Sequence, residues 1–92
     1  MKFEDLKFTE YQSKTNRKTG IQARHKFENG YGVSVIQLFY LDTDGNKIPV
    51  SYGAENDLYE LAVTKNGSIQ GDVYGYLDKN GVEELLVKIQ AL

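Results

Sequence analysis

The alternation on either side of Asn29-Gly30 constrains the fold more than any other feature of this sequence. Ile21, Ala23, His25 and Phe27 alternate with Gln22, Arg24 and Lys26, which is the period of a half-buried strand. Val33 to Tyr40 is rich in β-branched and aromatic residues and reads as the returning strand. If Asn29-Gly30 is a two-residue turn, Phe27 lies opposite Gly32, His25 opposite Ser34, Ala23 opposite Ile36 and Ile21 opposite Leu38. In that register Gln22, Arg24 and Lys26 share the other face with Val33, Val35 and Gln37. The stretch Ile36 to Leu41 is largely apolar on both faces, which suits a central strand or a strand covered by a helix on one side and a partner on the other.

The remaining elements follow from shorter signals. Lys7 to Ser13 reads as an edge strand, joined through residues 14–20 to the hairpin, and Met1 to Leu6 as either strand or helical turn. Asp42 to Asn46 is a turn cluster, and Pro49 demotes Lys47 to Tyr52 to an edge or irregular strand. Leu58 to Lys65 is a strand, and Asn66-Gly67 turns it into Ser68 to Gln70. Asp72 is placed to start a short helical turn over Val73 to Leu77, and Asp78 to cap a final helix. In that helix Val82, Leu85, Leu86 and Ile89 fall at i, i+3, i+4 and i+7. The expectation is one α+β domain over residues 1–92, a four- to five-stranded, mainly antiparallel sheet with the C-terminal amphipathic helix packed on one face.

Composition narrows the function classes. A chain of 92 residues hides roughly 60–65% of its unfolded surface, enough for one core but not for a deep walled cavity as well. The absence of cysteine removes thiolate metal sites and cysteine nucleophiles, and favours a reducing compartment. No stretch approaches the roughly 20 apolar residues of a membrane helix, so the expectation is a cytoplasmic protein with no membrane partner. The net charge of −2 conceals an asymmetry: Tyr11 to Phe27 holds five bases and no acid, whereas Glu28 to Val87 holds ten acids against three bases.

Several groupings suggest chemistry and fall to simpler readings. Asp42, Asp44 and Asn46 imitate the start of a calcium loop, but Lys47 stands where the loop needs glycine and Gly53 where it needs a bidentate glutamate. His25 is the only imidazole and lacks the second residue that metal binding or acid–base relay requires. Glu83 and Glu84 are adjacent on a helix and point apart, and Glu55, Asp57 and Glu60 read as a solvated acidic face. No catalytic residue, metal or cofactor is expected. Two surface readings remain. Tyr31, Tyr52, Tyr74 and Tyr76 lie in or beside glycine-containing turns, where tyrosines suit a protein-binding surface. Lys14, Arg17, Lys18, Arg24 and Lys26 form a basic segment that could contact nucleic-acid phosphates. Edge strands also carry such bases merely to block aggregation.

Three ordered segments carry a resemblance: Asn29 to Ile36 (NGYGVSVI), Ser51 to Val63 (SYGAENDLYELAV) and Asp72 to Leu92 (DVYGYLDKNGVEELLVKIQAL). Together they resemble a family of small, functionally uncharacterised proteins of tailed phages and prophages. The resemblance covers about the last two-thirds of the chain. The chain departs from it by a longer stretch between Ile36 and Ser51, and the basic N-terminal segment has no counterpart in it. It implies a phage or prophage origin and action in a bacterial cytoplasm, and it carries over no catalytic residue. Taken with the tyrosines and the doubly apolar strand, the expected function is a non-enzymatic module that binds a host or phage protein, with a homodimer as another use of that strand. The alternative is a nucleic-acid-associated protein using the basic segment.

Overall fold

The computed structural model describes residues 1–12 and 17–92. Among these residues, seven strands form one antiparallel sheet: β1 (Thr9–Gln12), β2 (Lys18–Lys26), β3 (Tyr31–Leu41), β4 (Lys47–Pro49), β5 (Tyr59–Lys65), β6 (Ser68–Ile69) and β7 (Tyr74–Leu77). A single α-helix, α1 (Lys79–Gln90), follows them, and short 3-10 turns occupy Phe3–Asp5 and Ala54–Asn56. The sheet is larger than the four or five strands expected: the short β4 and β6, which fall within Lys47 to Tyr52 and Ser68 to Gln70, both join it, and β7 replaces the helical turn expected over Val73 to Leu77. They extend it by sharing partners. The long β3 pairs β5 through its first half and β4 through its last residues, and β5 pairs both β6 and β7.

The central hairpin differs from expectation by one residue. The Phe27 N–H donates to the Tyr31 carbonyl and the Gly30 N–H to the Phe27 carbonyl, so the loop is three residues, Glu28 to Gly30, with Gly30 at φ 88°. This is the turn-plus-bulge form in which a left-handed glycine closes the loop. Because side chains alternate, one residue of slip exchanges the faces of the partner strand. Ala23 lies opposite Val35, His25 opposite Val33 and Arg24 opposite Ser34. The expected face of Ile21, Ala23 and Phe27 is therefore joined by Val33 and Val35 rather than by Ile36 and Leu38.

Those residues meet α1. Ala23, Val33, Val35, Tyr59 and Leu61 from the sheet are buried against Val82, Leu86 and Ile89. The expected helix spacing supplies that face, and the Asp78 carboxylate caps the helix by accepting from the Gly81 N–H at 2.7 Å. The N-terminal segment closes one flank: Phe3, Phe8 and Tyr59 rings pack in a triangle with centroids 5.2–5.7 Å apart, and the Phe3 N–H donates to the Glu83 carboxylate. The other end of α1 is held by the central hairpin, where the Asn29 amide donates to the carbonyls of Ile89, Gln90 and Leu92. Asn29 also accepts from the Tyr31 N–H, so one side chain shapes the loop and satisfies carbonyls that a helix leaves open.

One further expectation is corrected. Val73 to Leu77 is not a helical turn: Tyr74 and Leu77 pair Leu61 and Tyr59 across an irregularity that places Tyr76 at φ 56°. The apolar stretch Ile36 to Leu41 lies in a central strand, one of the two readings given above, with Tyr40 left exposed. β3 has strands on both edges, Leu38 is buried outside the helix-side core, and its N–H donates to the Ser51 hydroxyl. No helix among the described residues is long and apolar enough to cross a membrane.

Tyr59 makes the fold sensitive to alkali. Burial and then the nearby charge of Asp57 push its phenol above the ordinary value of 10.0. A raised acid favours its neutral form in the folded state, so its contribution is complete below 10.0 and is lost as pH rises through the folded value. The expected result is a melting temperature that falls more steeply above that pH in the wild type than in Tyr59→Phe. Parallel alkaline slopes would refute it.

Candidate functional site

The irregularity between β5 and β7 is where the chain presents aromatic surface. A bulky residue rarely takes positive φ, and such strain tends to sit where something depends on it. Tyr76 does so while its N–H donates to the Tyr52 carbonyl at 3.2 Å. Its ring stacks on that of Tyr52, with centroids 5.9 Å apart and planes 27° from parallel. Tyr52 remains 57% exposed and Tyr76 63% exposed, so the stacked pair is displayed rather than used as core.

Two glycines make this geometry possible. A Cβ on Gly75 would stand 2.5 Å from the Tyr52 Cβ, so only glycine lets the Tyr52 side chain lie against the strand. Gly53, at φ 91°, would place a Cβ 2.8 Å from Leu58 and 3.1 Å from the Tyr76 backbone. One carboxylate, Glu60, stands beside the pair, and Asp57 lies nearby in sequence. Glu60 accepts from the Tyr52 N–H at 3.1 Å, and Asp57 accepts from the Gln37 amide at 2.9 Å. Each has a structural hydrogen bond of its own, and no group of three His, Cys, Asp or Glu among the described residues is arranged to hold a metal ion.

The four tyrosines singled out above are therefore not one cluster. Tyr52 and Tyr76 come together; Tyr74 is exposed on the same short strand. Tyr31 packs against the core, with the Lys65 ammonium 5.0 Å from its ring centroid. All four tyrosines adjoin a glycine in sequence, so that signal marks them but does not single out Tyr52 and Tyr76 as the pair.

The basic segment is split as well. Lys14 lies outside the described residues. Arg17 donates to the Asp42 carbonyl at 3.1 Å, at the hairpin formed by β3 and β4. That hairpin turn is tied by the Asp42 carboxylate, which accepts from the Asn46 and Asp44 N–H groups. The backbone of Asn46 in particular holds this carboxyl below its ordinary range. Lys18, Arg24 and Lys26 share the sheet face opposite α1, but six residues separate Lys18 from Arg24 along β2, roughly 20 Å of strand. His25 is exposed, faces Val33 rather than Ser34 across the ladder, and meets Phe27 edge-on at 4.8 Å.

A seven-stranded antiparallel sheet carrying one helix on one face places the chain in the α+β class. No protein-family model matches the chain, and no curated protein or solved structure does either.

Proposed function

We propose that the chain is a non-enzymatic protein-binding module whose contact surface is centred on the Tyr52–Tyr76 pair. The observation that carries this reading is the exposed stack itself, held by positive-φ backbone at Tyr76 and by two glycines that admit no side chain. Rigid, part-exposed tyrosines supply large contact area at small entropic cost, which is why they dominate interface energetics. The surrounding segment, Ser51 to Asp78, carries five acids and only Lys65 as a base. A partner presenting arginine or lysine suits it, since a cation gains from both the ring faces and the carboxylates. The resemblance of Asn29 to Ile36, Ser51 to Val63 and Asp72 to Leu92 to phage proteins supports a phage or prophage origin, and with it a target in the host cytoplasm.

The test is capture from a bacterial lysate by wild-type protein and by Tyr52→Ser/Tyr76→Ser, each after nuclease treatment. Proteins retained by the wild type and lost by the double variant support the reading. The loss expected for two interface tyrosines is about 2 kcal/mol or more. Identical capture by both proteins, with the variant folded, would refute it. Splitting of the basic segment speaks against the nucleic-acid alternative, which needs those bases to track one backbone.

A further inference from the structure

A second site lies at the other end of the sheet, and it does not depend on the tyrosine reading. On the face opposite α1, Arg24 and Lys26 stand at alternate positions of β2, which puts them about 7 Å apart. The residues across from them are small: Ser34 faces Arg24, Gly32 faces Lys26, and Thr64 follows on β5. The result is an open depression of about 410 Å³ walled on one side by the exposed Ile69 of β6. Gly32 keeps it open. A Cβ there would come within 2.6 Å of the His25 carbonyl and 2.7 Å of the Thr64 hydroxyl, filling the floor.

The chemistry of the lining is one-sided. No carboxylate lines the depression, although the chain as a whole has more acids than bases. Neither the Arg24 nor the Lys26 side chain makes an ion pair or hydrogen bond among the described residues. A guanidinium, an ammonium and two hydroxyls therefore converge on one small volume as donors. Such a set answers to a compact anion with several acceptor oxygens. A long polyanion needs the charge to continue, yet the next positions on this face of β2 are Gln22 and Gly20.

We propose that this depression binds a single phosphate group borne by a small molecule, a phosphate monoester, with Arg24 and Lys26 clamping the dianion. Ser34 and Thr64 donate to its oxygens, and Ile69 supports the body of the molecule that carries it. The competing account is that Arg24 and Lys26 only guard a bare edge. β1 pairs β2 no further than Gln22, and cations on unpaired strand discourage association.

The experiment is an amide-resolved NMR titration of the full chain at low salt with three probes: inorganic phosphate, a mononucleotide and a single-stranded homopolymer oligonucleotide. Sodium chloride at matched ionic strength is the control. The expected result is saturable shifts at Gly32, Ser34 and Thr64 with phosphate and with the mononucleotide, absent with chloride. Arg24→Gln/Lys26→Gln should weaken the response about tenfold per cation lost. Thr64→Val, which keeps the strand shape, should weaken it with no change in fold. Shifts that chloride reproduces would overturn the site in favour of edge protection. Binding of the oligonucleotide without any response to phosphate or the mononucleotide would overturn it in favour of a nucleic-acid track.

Discussion

Gly20→Ala is expected to abolish folding or to lower stability by about 3 kcal/mol or more. Gly20 sits inside β2 at φ 139°, and a Cβ there would lie 2.1 Å from the Gln37 carbonyl oxygen and 3.0 Å from the Leu38 Cα. Both obstacles are backbone atoms of β3, the strand with partners on each edge, so neither can yield without opening the ladder. A domain of this size has a total of roughly 5–14 kcal/mol to lose. Gly45→Ala is the matched control: it too has positive φ, 83°, but its Cβ would meet nothing within 4 Å. Its expected cost is only the about 1 kcal/mol of placing a side chain in that conformation. Denaturant midpoints of the two variants decide the matter. Equal midpoints would mean that β2 and β3 do not pair in the register described.

Leu86→Ala is expected to destabilise by about 2–5 kcal/mol, the range for a leucine truncated in a packed core. Leu86 is fully buried on the inner face of α1, among Val82, Ile89 and the sheet residues Val35 and Leu61. The helix and the sheet are separate rigid layers, so neither can collapse into the void without breaking its own hydrogen bonds. Val87, one residue on and exposed, provides the contrast. Val87→Ala should fall within about 0.5 kcal/mol of wild type. Urea unfolding of both variants measures the difference. A small effect at Leu86 would place the helix elsewhere than on the sheet.

The parts of this fold that were legible are those written in local periodicity. Ile21 to Phe27 alternates because one face is buried. Val82, Leu86 and Ile89 recur at helical spacing because one stripe meets the sheet, and Asp78 marks where that helix starts. The register of the central hairpin was less legible, since Asn29-Gly30 serves equally as a two-residue turn or as the end of a three-residue one. The choice is made by the side chain of Asn29, whose partners Ile89, Gln90 and Leu92 lie some sixty residues away and leave no local trace. β7 was misread because Asp72 offers a cap signal and the following residues do not alternate. They do not alternate because an irregularity interrupts the strand at the point where Tyr76 turns outward.

The candidate sites divide in the same way. Composition marked tyrosines beside glycines and a run of bases, but not which members would be neighbours. Tyr52, in the loop after β4, meets Tyr76 through the bond from the Tyr76 N–H to its carbonyl, long-range in sequence, while β7 is set in place by β5. Arg24 and Lys26 are set over Gly32, Ser34 and Thr64 by two ladders at once. The register decides this: with Arg24 facing Val35 rather than Ser34 there would be no polar floor beneath it.

The position of α1 after all seven strands has a consequence for how the molecule is made. During synthesis, at about 5–20 residues per second, every strand of the sheet is made before α1. Through that interval Val33, Val35 and Leu61 have no cover, and the Asn29 amide has no carbonyls to hold. Until the helix docks, that apolar face is open to chaperones and to other copies of the chain. Docking of α1 ends that exposure, and Asn29 acts as the latch that registers its arrival.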